Sequence, residues 1–183
     1  MMRTLQVDKP NKQVFQSVTP LLIGGDASLF LHMQNSMNAF EFSHGLGPGS
    51  LATLAVLTGK SIAYALNDAM WTKYGLGHAF DLAATNVYYA AKSLKETGSP
   101  DDPDAIYQDW SAEAVLHRGG ALMVCHNALT VRAELLAPKI GVSPDAMLAD
   151  FMRNVLPGFQ VIPAGVAVTQ LALQNGWHLY PLI

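Results

Sequence analysis

The sequence predicts an α/β fold: a mostly parallel sheet of about five strands with helices on both faces. Three observations predict it. Short apolar runs alternate with longer stretches whose apolar residues recur at helical spacing. The short runs are apolar throughout instead of alternately apolar and polar, the pattern of strands buried on both faces. Glycine and proline clusters mark where one kind of segment gives way to the other.

Taken in order, "KQVFQSV" (12–18) reads as the first strand. After "PLLIGG", Asp26 is placed to cap a helix in which Leu29, Phe30, Met33, Met37 and Phe40 share one face. "GLGPG" (45–49) ends that helix, and "SLATLAVLTG" (50–59) is the second strand. A helix over 61–77 follows, closing near Gly75 or Gly77. The stretch around 78–118 is a helical and loop insert between the second and third strands. It holds "LAATNVYYAAKSL", which fits a helix, then a proline-bearing surface loop (98–104) and a short helix that Ser111 can cap. "ALMVC" (121–125) is the third strand and "HNALTVRAELLAPKIG" its helix. Ser143 caps the next helix, with Pro144 in the first turn. "FQVIPAG" (159–165), "VAVTQLALQNG" and "WHLYPLI" close the chain as strand, helix and strand. Residues 1–183 read as a single domain with a sizeable core.

Half the residues are hydrophobic and 14% are charged, which implies extensive burial and a homo-oligomer. The net charge is −3 without a block of like charges, so neither nucleic acid nor an anionic membrane surface is expected as a partner. The single cysteine excludes an internal disulfide and a cysteine-rich metal site. No apolar run approaches the ~20 residues of a membrane helix. The start, "MMRTLQVDKPNKQ", is too polar for a secretory signal. A cytoplasmic location is expected, unless a leader has been removed.

In an open parallel sheet, ligands bind beyond the carboxyl ends of the strands. Three strand ends carry candidate residues: Lys60 after the second, Cys125, His126 and Asn127 at the third, and Pro163 with Gly165 at the fourth. Cys125 also opens a helix, whose free N–H groups and partial positive charge favour a thiolate over a thiol. The Lys60 ammonium could act the same way, and His126 could shuttle a proton or donate a hydrogen bond. Adjacent side chains diverge, so His126 is not expected to pair with the sulfur directly. Against this stands burial: free cysteine packs like a small hydrophobe, and Lys60 fits a solvated helix start.

"LMVCHNAL" followed by "NVLPGFQVIPAGVAVTQLALQNGWHLY" closely resembles the DsrE/DsrF-like sulfur-relay family. That family carries a "C-x-N-x-L" turn, a "PG-hydrophobic-VPAGV" strand and turn, and "LQ-x-x-G-aromatic". The match is specific over 119–183 and rests on element order over 12–77. The 78–118 insert departs from compact members and is similar to a longer, less characterised branch. The resemblance implies a flavodoxin-like three-layer sandwich assembled as a homotrimer or hexamer. It also implies a persulfide on Cys125, a sulfur donor or acceptor protein as partner, and no cofactor.

Other features read as structure. The six histidines, His32, His44, His78, His117, His126 and His178, form no metal-binding pair at motif spacing, and no metal is expected. "GLGPGS" leads into a strand, and "TGKS" has Leu54 where a phosphate loop needs glycine. Met70, Trp71 and Tyr74 form a core or interface face, with a ligand-pocket wall including Asn67 and Asp68 as the other reading. Asn35 and Asn38 read as an exposed face or a subunit contact.

Two functions compete. In one, Cys125 is the reactive group of a persulfide carrier or sulfurtransferase, with His126, Asn127, Lys60, Pro163 and Gly165 around the substrate. In the other, the chain is a non-catalytic oligomeric binder of a small ligand, and Cys125 only packs.

Overall fold

The structure is a computed structural model and describes residues 2–182. A short helix α1 (Met2–Leu5) precedes strand β1 (Asn11–Ser17). A small hairpin follows, β2 (Leu22–Ile23) and β3 (Asp26–Ala27), and then α2 (Ser28–Asn38). Strand β4 (Leu51–Leu57) leads through a 3-10 helix, Gly59–Ala65, into α3 (Asp68–Tyr74) and α4 (Leu76–Phe80). The insert ends in α5 (Ala112–His117), and after it come β5 (Ala121–Cys125), α6 (His126–Leu136), α7 (Pro144–Arg153), β6 (Phe159–Ile162), α8 (Gly165–Gln174) and β7 (His178–Leu182).

Five strands form one parallel sheet in the order β6-β5-β4-β1-β7. The fold is therefore the three-layer α/β sandwich that the apolar strands predict. Alternation along each strand divides the core. Phe15, Ala55, Leu57, Leu122 and Val124 face the larger core, which holds α2, α3, α6 and α7. Val14, Leu54, Val56, Met123 and Ile162 face the other layer, where Val168 and Ala172 of α8 pack with Leu5 and Trp177. The Trp177 indole N–H donates to the Leu5 carbonyl at 2.9 Å and fastens α1 beneath that layer.

Several local expectations change. Asp26 does not cap α2; the N-cap is Ala27, and Asp26 belongs to the hairpin. Gly24 and Gly25, both at positive φ (62° and 95°), form the two-residue turn that this hairpin needs. The single helix over 61–77 breaks into three pieces. Asn67 interrupts it, accepting the Met70 N–H to start α3 and donating to Asn154 Oδ1. "LAATNVYYAAKSL" is not helical. Its backbone N–H groups are taken by distant carboxylates instead: Ala91 donates to Glu113, and Lys92 and Ser93 to Asp109.

Ser111 and Ser143 cap their helices as expected, each accepting the N–H three residues on. Met70, Trp71 and Tyr74 are buried and belong to the core. Among the described residues, no helix is long and apolar enough to cross a membrane.

Candidate functional site at a switch in the sheet

The helices that follow β5 and β6 leave the sheet on opposite faces. The chain passes from β5 into α6 on the larger-core side, and from β6 into α8 on the other. Adjacent strands whose connections diverge leave a crevice at their carboxyl ends, the usual place for ligands in open α/β sheets. Cys125 and Gly165 lie at that place.

Cys125 ends β5 and is the N-cap of α6. Its side chain shares a face with Met123 and so turns toward α8. The Sγ atom accepts two backbone hydrogen bonds. Ala128 N–H, in the first turn of α6, donates at 3.4 Å, and Gly165 N–H, at the start of α8, donates at 3.2 Å. Two helix N-termini thus converge on one sulfur, and each places partial positive charge beside it. A methyl group at residue 165 would lie 2.4 Å from Thr58 Cγ2 and 3.1 Å from Val56 Cγ1. Only glycine lets α8 begin this close to β4 and β5.

Asn127 N–H donates to the Pro163 carbonyl at 3.3 Å, tying together the two loops that follow β5 and β6. The Asn127 and Pro163 side chains are exposed, and His126 is half-buried. The His126 carbonyl accepts from Thr130 Oγ1. Neither the His126 ring nor the Lys60 ammonium bonds to Sγ among the described residues. Lys60 is the second residue of the 3-10 helix that follows β4, and its backbone N–H donates to Val18 O at 2.9 Å. Of the six predicted site residues, Cys125, Asn127, Pro163 and Gly165 are brought into one cluster by hydrogen bonds. His126 and Lys60 stand on its margin.

Cys125 is 5% exposed. The sizeable cavities lie elsewhere. One of about 330 Å³ sits between the hairpin tip and the insert, lined by Gly24, Asp26, Tyr88, Lys92 and Trp110. A second of about 330 Å³ has Glu41, Tyr107, His117 and Arg118 in its wall. A third of about 510 Å³ lies among Tyr74, His78, Leu136 and Ile140. None of these three is lined by a predicted site residue.

The second polar cluster escaped sequence reading. Arg118, just after α5, is almost fully buried. It donates to Asn38 Oδ1 at 2.7 Å and Glu41 Oε2 at 2.9 Å, bonds Gln34 Oε1 as well, and stacks on Tyr107. Asn38, expected on an exposed face or a subunit contact, is an internal ligand of this guanidinium, while Asn35 is exposed as expected. The only local signal was two polar residues one turn apart on α2, Gln34 and Asn38, with Glu41 just beyond its end.

No protein-family model matches the chain, and no curated protein matches it either.

Proposed function

We propose that this chain is a DsrE-like sulfur carrier in which Cys125 accepts, holds and passes on a sulfane sulfur. The observation that supports the reading is the pair of N–H groups from two helix N-termini aimed at Sγ at the switch in the sheet. Both favour negative charge on sulfur, the form that attacks and leaves in sulfur exchange.

In the accepting step, the Cys125 thiolate attacks the outer sulfur of a donor persulfide, R–S–SH. A new S–S bond forms at Sγ, the donor S–S bond breaks, and the donor departs as the thiolate RS⁻. The proton stays on the outer sulfur. In the delivering step, an acceptor thiolate attacks that outer sulfur, and Cys125 leaves as a thiolate. Each step exchanges one S–S bond for another, so no external oxidant, metal or organic cofactor is required. Donor and acceptor are proteins or small thiols that approach over Asn127, Pro163 and Val166, the last 71% exposed. Assembly into a homo-oligomer belongs to the same reading.

The test is mass spectrometry after incubation with inorganic polysulfide and alkylation. One added sulfur on the Cys125 peptide is expected. No uptake, or equal uptake by Cys125→Ser, overturns the proposal.

The low exposure of Cys125 favours a second reading, a non-catalytic oligomeric protein that binds a small ligand. Slow alkylation in the native state and fast alkylation in denaturant would support it. Fast native labelling would count against it.

A further inference from the structure

The cavity of about 330 Å³ beside Arg118 lies at the amino ends of β4 and β5. Gly49, shortly before β4, and Gly119, shortly before β5, are in its wall. Cys125 stands at the opposite end of β5. The volume falls within the range of small-molecule sites, about 300–1,000 Å³. Four charged or chargeable side chains line it. Glu41 and Arg118 are buried in the wall, and Glu96 and His117 are exposed at the rim.

The inner pair is fixed in place but not used up. A guanidinium carries two N–H groups on each Nη and one on Nε. In Arg118, Nη1 serves Gln34 Oε1 and Asn38 Oδ1, and Nη2 serves Glu41 Oε2 at 2.9 Å. The second N–H of Nη2, the Nε–H and Glu41 Oε1 have no partner among the described residues. All three lie within two covalent bonds of the Nη2–Oε2 contact. A spare donor and a spare acceptor therefore stand side by side. Arg118 is not free to swing toward other partners, because its guanidinium also stacks on Tyr107, with Cζ 4.9 Å from the ring centre.

Two further observations mark the same place. The Ser50 hydroxyl is sealed from solvent and has no partner among the described residues. It lines a narrow void of about 10 Å³, whose wall shares Glu41, Gly49 and Arg118 with the larger cavity. That is near the least space that holds a water-sized group. A buried hydroxyl left unpaired is costly, and a polar group of that size satisfies it. Glu41 itself lies on a π-helical turn, Ala39–Ser43, closed by the His44 N–H to the Ala39 carbonyl at 2.9 Å. Such turns are rare and concentrate at functional sites.

Charge decides what the cavity takes. Arg118 is matched by Glu41, and His117 Nε2 lies 3.8 Å from Glu96 Oε1 at the rim. A ligand with net negative charge would meet both carboxylates, and one with net positive charge would meet the guanidinium. A ligand with both charges on one carbon keeps the balance and uses the spare donor and acceptor together. We infer that the cavity binds a free α-amino acid. Its carboxylate sits on the spare N–H groups of Arg118, its ammonium between Glu41 Oε1 and Ser50 Oγ, and its side chain toward His117 and Glu96. This site is separate from Cys125 and does not depend on sulfur chemistry.

The test is calorimetric titration of the full chain with each standard amino acid except cysteine, which brings a thiol of its own. Saturable binding of at least one of them, at one molecule per chain, is expected. For the tightest binder, the acid lacking the amino group and the amine lacking the carboxyl group should each bind at least about tenfold more weakly. Ser50→Ala removes a hydroxyl without a partner among the described residues, so the melting temperature without ligand should hold. Its affinity should fall about tenfold. No binding by any amino acid overturns the proposal. An acid or amine that binds as tightly as its parent overturns the zwitterion as the ligand. Binding that Ser50→Ala leaves unchanged overturns the location.

Discussion

The Gly165 N–H donates to Cys125 Sγ at 3.2 Å, joining residues 40 positions apart. This bond sets the distance between α8 and the end of β5. Gly165→Ala would force a methyl group into Thr58 Cγ2, 2.4 Å away, with Val56 Cγ1 close behind. The backbone must retreat, and the hydrogen bond to sulfur lengthens with it. A stability loss of about 1–3 kcal/mol is expected in urea denaturation. Alkylation of Cys125 should change rate in the same variant, because one donor to the sulfur has moved.

Replacements at Cys125 separate its role as a cap from its role as a thiol. Serine keeps an acceptor at the N-cap and can serve Ala128 N–H and Gly165 N–H as sulfur does. Alanine leaves both donors without that partner. Cys125→Ser is expected to hold wild-type stability to within about 1 kcal/mol, and Cys125→Ala to lose about 1–2 kcal/mol. Equal melting temperatures for the two variants would show that the bonds to sulfur contribute nothing to folding.

How much of this was legible follows the range of the interactions. The core strands were readable because burial on both faces makes "LATLAVL" and "ALMVC" continuously apolar. Ser111 and Ser143 were readable because a cap acts on a backbone group three residues away. Cys125 was readable as a strand end and a helix start for the same local reason. Its second donor was not, since Gly165 reaches it through the pairing of β5 with β6. The insert failed for the same cause: Asp109 and Glu113 hold the backbone of 91–93 from outside that segment, overriding its helical composition. At Asp26, the glycine pair before it was the stronger signal, a hairpin turn in place of a cap.

Asp150 gives the fold a pH-dependent clasp between α3 and α7. Its carboxylate bonds to Lys73, accepts from the Tyr74 hydroxyl at 2.6 Å, and meets Arg153 from its own helix. These bonds, that from Lys73 foremost, hold the carboxyl well below the usual carboxylate range. A depressed folded value means that unfolding takes up a proton once pH falls to the unfolded value of about 3.9. The clasp therefore stabilises fully above that pH and is lost progressively below it. Asp150→Asn should melt below wild type at pH 7, and the gap should narrow as the pH is lowered through 4 toward 2. A gap that is constant with pH would sink this account.

Arg118 and Glu41 form the buried ion pair most exposed to single substitution. Their side chains are 6% and 12% exposed, and the guanidinium also holds Gln34 and Asn38 of α2. Removing one partner leaves a charge in a site with little water. Arg118→Met is expected to cost about 3–5 kcal/mol, most of it from the stranded Glu41 carboxylate. Changing both partners removes the stranded charge, so Arg118→Met with Glu41→Gln should be more stable than Arg118→Met alone. Urea denaturation of both single variants and the double variant measures the coupling directly. If the two single losses simply add, the pair is not interacting as the distances require, and Arg118 holds α5 to α2 by packing alone.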